Sequence, residues 1–174
     1  MPTEVPFRQI EISSPEPLRQ FDAPACFVFA SLKELLNAYG VSRVGTRIDF
    51  ERYLVLTAHR GLCRTGGYGI AVSAIERSAL QLPGLEQPSG ERPGSEVNVR
   101  LNLRDPEPGA MAIMILTYPS VHVLIPREAV VSTPSVIPAD TPVANSGEAP
   151  SRRVAFNFSD ESGRIQRRVV RELG

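Results

Sequence analysis

The sequence contains few cysteines, no tryptophan, a single lysine and no excess of either charge. Two cysteines, Cys26 and Cys63, are too few for the disulfide framework of a small secreted domain. The 19 basic and 19 acidic residues cancel. This balance argues against nucleic-acid binding and against an acidic solvating tail.

Long apolar runs are also absent, and none approaches the length of about 20 residues that a membrane-spanning helix needs. Residues 1–5 lack the charged and apolar regions of a signal peptide, and no lipoprotein cysteine lies near them. The sequence therefore predicts a cytoplasmic protein without a membrane partner. A length of 174 residues allows one domain with a substantial core and an appendage.

The most distinctive stretch is 61–70, GLCRTGGYGI, which has four glycines in ten residues. Strand-like apolar runs flank it at 50–58 and 68–75. Two such runs joined by a glycine-rich segment predict a β-hairpin whose loop needs positive φ or close backbone approach.

One helix is predicted after the apolar run 25–30. Ser31 and Glu34 form a capping box, in which each side chain bonds the other residue's backbone N–H. Apolar residues follow at helical spacing, and Gly40 is placed to end the helix. Further strands are predicted within 7–12, 97–104, 110–117 and 121–125, and the dense apolar run 110–117 is interpreted as a central strand.

Proline and glycine mark the connections. Residues 80–94 are predicted to be a long loop, and residues 131–150 a proline-rich linker. Beyond the linker, 154–158 and 165–170 flank a polar turn and predict a second hairpin. Because an isolated hairpin is marginal in water, it must dock on its own domain or pair with another chain.

These elements predict a mainly β fold: an antiparallel β-sandwich or partly rolled barrel, with one short capped helix covering an edge or end. The alternative is an α+β fold with the helix on one face of an antiparallel sheet. The domain organisation predicted is a β domain at 1–130, the linker at 131–150 and a hairpin appendage at 151–174.

Four landmarks in order resemble the PrcB family, named for a protease-complex subunit. They are Asp49-Phe50, Gly61-x-x-x-Thr65-Gly66-Gly67-Tyr68, Pro106-Glu107-Pro108-Gly109, and Thr117-Tyr118-Pro119 followed by Val121 to Pro126. The resemblance spans roughly Phe21 to Arg127. It implies a small, mostly β, non-enzymatic domain associated with proteases. The family's named member is an exported lipoprotein, a feature that this sequence does not share.

The best candidate site is the glycine-rich loop, where an exposed aromatic ring and a nearby arginine suit a protein-binding hot spot. Tyr68 could instead be a core residue at the start of a strand, with the glycines serving only a tight turn. The candidate binding residues are Arg64, Thr65, Gly66, Gly67, Tyr68, Tyr118 and Pro119.

The sequence gives less support for a catalytic or a metal site. His59 and Cys63 lie four residues apart, but at a strand end this spacing guarantees no contact, and no orienting Asn or Asp is identifiable. Cys26, His59, Cys63 and His122 lack the paired spacing of structural zinc sites. We therefore predict no enzymatic activity, no metal and no cofactor.

The sequence favours a non-catalytic protein-binding module that stabilises or regulates a protease partner. One alternative is a direct protease inhibitor, because chagasin-type inhibitors also present a Thr-Gly-Tyr-like loop from a β-sandwich. A second is a self-associating structural module that forms a homodimer through the 151–174 hairpin. The remaining alternative is a Cys/His enzyme or metal-binding protein.

Overall fold

The computed structural model describes residues 1–79, 94–131 and 152–173. The loop predicted at 80–94 and the linker predicted at 131–150 lie outside these residues, apart from Gly94 and Val131.

The described residues form a β-sandwich of a five-stranded and a four-stranded sheet, which confirms the predicted fold class. The first sheet has the order β1-β5-β6-β8-β9 and the second the order β2-β7-β4-β3. The elements are β1 (Thr3–Glu4), β2 (Arg8–Ile10), β3 (Ala25–Phe29), α1 (Leu32–Tyr39), β4 (Tyr53–His59), β5 (Gly69–Ala79), β6 (Ser95–Arg104), β7 (Ser120–Pro126), α2 (Arg127–Val130), β8 (Arg152–Asp160) and β9 (Ile165–Leu173).

The main core lies between the two sheets and is built by period-2 alternation of apolar residues. In β6 the alternating residues Val97, Val99 and Leu101 are buried, as the sequence predicted. They pack in one cluster with Leu54 and Leu56 of β4 and with apolar residues of β5, β7 and β8. Burial of these side chains supplies the main driving force for folding.

Helix α1 begins and ends where the sequence predicted. The hydroxyl of Ser31 accepts a hydrogen bond from the Glu34 N–H at 3.3 Å, and Gly40 ends the helix at φ 65°. The other hydrogen bond predicted for the capping box, from the Ser31 N–H to the Glu34 side chain, is wrong. The Glu34 carboxylate accepts from the Ala30 N–H at 3.0 Å and pairs with Arg171 of β9, because β9 brings a cation to the start of the helix.

The helix covers the outer face of the four-stranded sheet, not an edge or end. Leu35 and Tyr39 are buried in a second apolar cluster with Phe29, Val55 and Leu124 of the sheet. The molecule therefore has three layers: the helix with its flanking loops, the four-stranded sheet and the five-stranded sheet.

The hairpin predicted around the glycine-rich stretch is wrong, although both of its strands exist. β4 lies in the four-stranded sheet between β3 and β7, whereas β5 lies in the five-stranded sheet between β1 and β6. The segment 60–68 crosses from one sheet to the other. A local sequence pattern identifies strands but does not say with which neighbour each strand pairs.

The strand predicted at 110–117 is also wrong. Residues 110–116 belong to no strand, and most of their large side chains are exposed. Thr117 alone forms an isolated bridge, with Cys63. An apolar run signals a buried strand only if another layer covers it, and here none of the described layers does.

The terminal hairpin forms as β8 and β9, and it is part of the sandwich rather than an appendage. β8 pairs with β6, with Val97 opposite Phe156 and Val99 opposite Phe158. This pairing is parallel, unlike the other strand pairs described. Phe156 and Phe158 are fully buried in the main core, so the hairpin docks on its own chain.

Candidate functional site

Two loops meet at one end of the sandwich, and we call them together the loop end. The glycine loop, residues 60–68, joins β4 to β5, and the apolar segment, residues 110–117, precedes β7. The N–H groups of Cys63 and Thr117 each donate to the other residue's carbonyl at 2.8 Å. The Gly66 N–H donates to the Ile113 carbonyl at 2.9 Å. The two loops therefore hold each other in place.

Gly61 fixes the course of the glycine loop where it leaves β4. Its φ is 94°, a conformation that favours glycine. A Cβ at this position would lie 2.8 Å from the carbonyl oxygen of Asp22. The next residue, Leu62, donates its N–H to that oxygen at 2.9 Å. Positive φ and close backbone approach, both expected from the sequence, occur together here.

Arg60 connects the glycine loop to the ends of two strands in the opposite sheet. Its guanidinium donates to the carbonyls of Gly69 at 3.0 Å and Arg104 at 2.6 Å, and it forms an ion pair with Asp105. The same group lies over the ring of Tyr68, 4.7 Å from its centre. Sequence reasoning chose Arg64 and missed Arg60, because nothing in the local pattern distinguishes the two.

Five of the predicted binding residues lie at the loop end, and Tyr118 and Pro119 lie between it and β7. Their environments differ. Arg64 and Gly67 are exposed. Thr65, Gly66, Tyr68, Tyr118 and Pro119 are half-buried. Tyr68 is therefore neither a core residue nor a freely projecting one, since Arg60 covers part of its ring.

The apolar segment has the largest exposed apolar side chains of the loop end. Relative exposure is 103% for Met111, 76% for Ile113, 85% for Met114, 55% for Ile115 and 59% for Leu116. Single exposed apolar residues are ordinary, but a contiguous group of this kind marks an interaction surface. Leu62 of the glycine loop, 39% exposed, adds a further apolar side chain at the same end.

A hollow of about 430 Å³ lies beside the apolar segment. Gly66 and Gly67 line one side, and Pro106, Met111 and Ile113 contribute apolar surface. Arg104, Asp105 and Glu107 place charges of both signs around it. The loop end therefore combines projecting apolar side chains with a concavity and a charged rim, which is the composition of many protein interfaces.

A polar cluster lies elsewhere, under helix α1, with Tyr39 and His59 buried and His122 half-buried. The hydroxyl oxygen of Tyr39 is 2.9 Å from Nε2 of His59 and 2.8 Å from Nε2 of His122. The hydroxyl has one proton and can donate to only one of the two histidines, so at least one ring donates its Nε2–H to the hydroxyl oxygen.

Burial lowers the pKa of His59 to about 4, and the neighbouring His122 contributes to this shift. Burial likewise lowers the pKa of His122 to about 4. The phenol of Tyr39 has its pKa raised by the same cause. All three groups are therefore neutral near pH 7, and their hydrogen bonds satisfy one another within the layer between α1 and the sheet.

Neither cysteine takes part in the hydrogen bonds of this cluster. Cys26 packs in the main core between the sheets, where burial raises the pKa of its thiol to about 12. The Cys63 thiol donates to the Gly61 carbonyl at 3.8 Å. Within residues 1–79, 94–131 and 152–173, no group of three or more His, Cys, Asp or Glu side chains could hold a metal ion.

The fold and the loop end define a small β-sandwich domain with an exposed apolar surface at one end. Residues 54–126, from β4 to β7, match the family model described as PrcB C-terminal. The resemblance to the PrcB family is thereby confirmed for this region. The region includes the whole loop end and leaves out α1, β8 and β9. No curated protein and no solved structure matches the chain. None of the described helices is long and apolar enough to cross a bilayer.

Proposed function

We propose that this chain is a non-catalytic protein-binding module that uses the loop end to bind a protease and to stabilise or regulate it. The observation that carries the proposal is the exposure of five large apolar side chains between Met111 and Leu116. Covering such side chains is favourable by roughly 1.5–3 kcal/mol each before the costs of association are counted.

The rigidity of the surface supports the same proposal. Hydrogen bonds to Cys63 and Gly66 fix the apolar segment along the glycine loop. Arg60 ties that loop to β5 and β6. A preorganised surface loses less conformational entropy on binding than a mobile one. A protease is proposed as the partner because the PrcB family, which residues 54–126 match, is named for a protease-complex subunit.

A capture experiment from native cell extract tests this function. The wild type is compared with Ile113→Asp, which places a charge on the apolar segment, and with Ile165→Asp as a matched control. Ile165 is also exposed, at 56%, but lies on β9. We expect the wild type and the control to capture the same peptidase and Ile113→Asp to lose it. Equal capture of the peptidase by all three proteins would exclude the apolar segment of the loop end as the binding surface.

The mode of action requires the purified peptidase. A stabilising subunit slows the loss of peptidase activity with time and leaves the active site open. An inhibitor lowers that activity at once when the two proteins are mixed in equal amounts. Measuring initial rate and half-life in the same samples distinguishes these two modes.

A further inference from the structure

Both sheets of the sandwich end on the same side. β9 is an edge strand of the five-stranded sheet, and β3 is an edge strand of the four-stranded sheet. A cleft of about 470 Å³ lies between them, and we call it the edge cleft. β3, β9 and helix α1 line it, and no described residue of the loop end does. Because β3 and β9 also lie outside the region that matches the family model, the edge cleft is a separate feature of this chain.

Positive charge collects in the edge cleft. Arg167, Arg168 and Arg171 of β9 line it, and Glu34 is the one acidic side chain among its described lining residues. Arg171 pairs with Glu34. Arg167 and Arg168 are exposed, and neither belongs to an ion pair among the described residues. The cleft therefore has two cations to offer a partner, although the chain as a whole carries no net charge.

The backbone of β9 has an open outer edge. This strand is nine residues long and pairs with β8 along its other edge. Within the part of the chain that the structure describes, no further strand and no backbone hydrogen bond meets the outer edge. The unpaired N–H and C=O groups of an edge strand are a template on which an extended peptide can add a strand.

Apolar surface lies between the charges. Val169 of β9 and Phe27 of β3 are half-buried and line the cleft. Val170, which is 56% exposed, lies on the opposite face of β9 because side chains alternate along a strand. A strand laid along 167–171 would thus find apolar neighbours on both of its faces.

From these observations we infer that the edge cleft binds an extended acidic segment of a partner protein, which adds as a strand to β9 at 167–171. Carboxylates of this segment pair with Arg167 and Arg168, whose guanidinium groups suit bidentate hydrogen bonds to carboxylates. Its apolar side chains cover Val169 and Val170. The inference goes beyond the proposed function and does not rest on it, because the loop end takes no part.

The charge and the backbone of the cleft favour this partner over two others. Antiparallel pairing of two β9 strands about Val169 would set Arg167 opposite Arg171, and like charges on opposite residues repel. A nucleic acid is also anionic, but its phosphates only accept hydrogen bonds and leave the carbonyls of the open edge without donors. An acidic peptide supplies carboxylates, backbone donors and acceptors, and apolar side chains together.

Fluorescence anisotropy with a labelled peptide tests this inference. The peptide contains Glu-Val-Val-Glu-Glu, which in antiparallel pairing with 167–171 sets a glutamate opposite each arginine and a valine opposite each valine. We expect it to bind the wild type, and to bind more weakly as the salt concentration rises. The same peptide with glutamine in place of glutamate should bind about tenfold more weakly. Equal affinity for the two peptides, or no binding of the acidic one, would overturn the inference.

Variants of the protein test whether β9 is the site. Arg167→Gln combined with Arg168→Gln should weaken binding of the acidic peptide about tenfold. Arg100→Gln is the matched control, because Arg100 is exposed on β6 of the same sheet and belongs to no ion pair among the described residues. It should bind the peptide as the wild type does, and circular dichroism confirms that each variant is folded. An equal loss of affinity in Arg100→Gln would show general charge attraction and would overturn the inference.

Strand pairing is tested by changing the peptide backbone. N-methylation of every second residue removes the N–H groups along one edge of the peptide. Methylation of one edge should abolish binding and methylation of the other should leave it unchanged, whereas equal affinity of the two forms would contradict strand addition. Hydrogen exchange should show new protection in β9 when the peptide binds, and protection confined to β3 would also contradict it. An oligothymidylate of the same length that bound more tightly, with the same dependence on the two arginines, would make the partner a nucleic acid and overturn the inference.

Discussion

The guanidinium carbon of Arg60 lies 4.7 Å from the centre of the Tyr68 ring. The same guanidinium donates to two backbone carbonyls of the five-stranded sheet and pairs with Asp105. One side chain thus fixes both the orientation of an aromatic ring and the distance between the two sheets at the loop end. This combination uses the planar, multiply donating group of arginine and is not available to lysine.

Arg60→Lys should therefore destabilise the fold by about 1–2 kcal/mol, although the charge is kept. Urea denaturation measures the change in the free energy of unfolding. Arg64→Lys is the matched control on the same loop. Arg64 is exposed, so this substitution should change stability by less than about 0.5 kcal/mol. Equal effects would show that the contacts of Arg60 contribute nothing specific.

Gly61→Ala should destabilise the protein by about 2–4 kcal/mol, because a Cβ would contact the Asp22 carbonyl in a backbone conformation that alanine rarely adopts. Gly109→Ala provides the control, since Gly109 also has positive φ but has open space around it. It should cost only about 1 kcal/mol. Thermal unfolding of both variants gives the comparison. A similar loss of stability in the two variants would mean that the backbone at Asp22 moves away from the new Cβ at little cost.

The stability of the protein should fall as the pH drops from about 6.5 to about 4. In this range His59 and His122 take up protons in the unfolded chain but stay neutral in the fold, where their pKa values are about 4. The contribution of the neutral histidines to the free energy of unfolding is thus complete above the ordinary histidine pKa of about 6.5. Its loss toward pH 4 should reach roughly 3 kcal/mol per histidine.

Urea denaturation at a series of pH values measures this dependence. His122→Gln should reduce the slope of stability against pH between 6.5 and 4, because one fewer group titrates. Hydrogen bonds also lower the carboxyl pKa values of Glu16 and Asp160, and at Glu34 they outweigh the opposing effect of burial, so these groups add to the loss of stability below about pH 5. Their contribution is the same in the wild type and in His122→Gln, so the difference between the two slopes isolates His122. A wild-type stability that is constant between pH 7 and 5 would contradict the burial of neutral histidines.

Phe156→Ala should destabilise the protein by about 3–5 kcal/mol, because it leaves a cavity in the main core. Ile165→Ala, on the same hairpin but exposed, should change stability by less than about 0.5 kcal/mol. Chemical denaturation followed by far-ultraviolet circular dichroism measures both. A small effect of Phe156→Ala would mean that the hairpin is dispensable for the sandwich.

Features that depend on residues close together in the sequence were predictable. The alternation in β6 and the cap at Ser31 are local patterns, and both are found in the structure. Long-range features were not predictable. The assignment of β4 and β5 to different sheets and the parallel pairing of β6 with β8 depend on contacts between distant segments.

The sequence placed the candidate site on the glycine loop, and its role in binding stays a prediction. The glycine loop was chosen for its glycines and Tyr68, and it does lie beside the apolar segment. That segment was assigned to the core because hydrophobicity indicates a need for cover but not whether the same chain provides it. The contact of Tyr39 with His59 and His122 escaped prediction because a helix and two strands bring these side chains together.

The parallel pairing of β6 with β8 affects the order in which the chain can fold during synthesis. Once β7 has left the ribosome, every strand of the four-stranded sheet is available, but the other sheet still lacks β8 and β9. The inner faces of both sheets then remain without Phe156 and Phe158. A nascent chain at this stage exposes apolar surface and is open to chaperones. The sandwich is complete only when the hairpin arrives, β8 pairs with the free edge of β6 and β9 lies outside it as the edge strand.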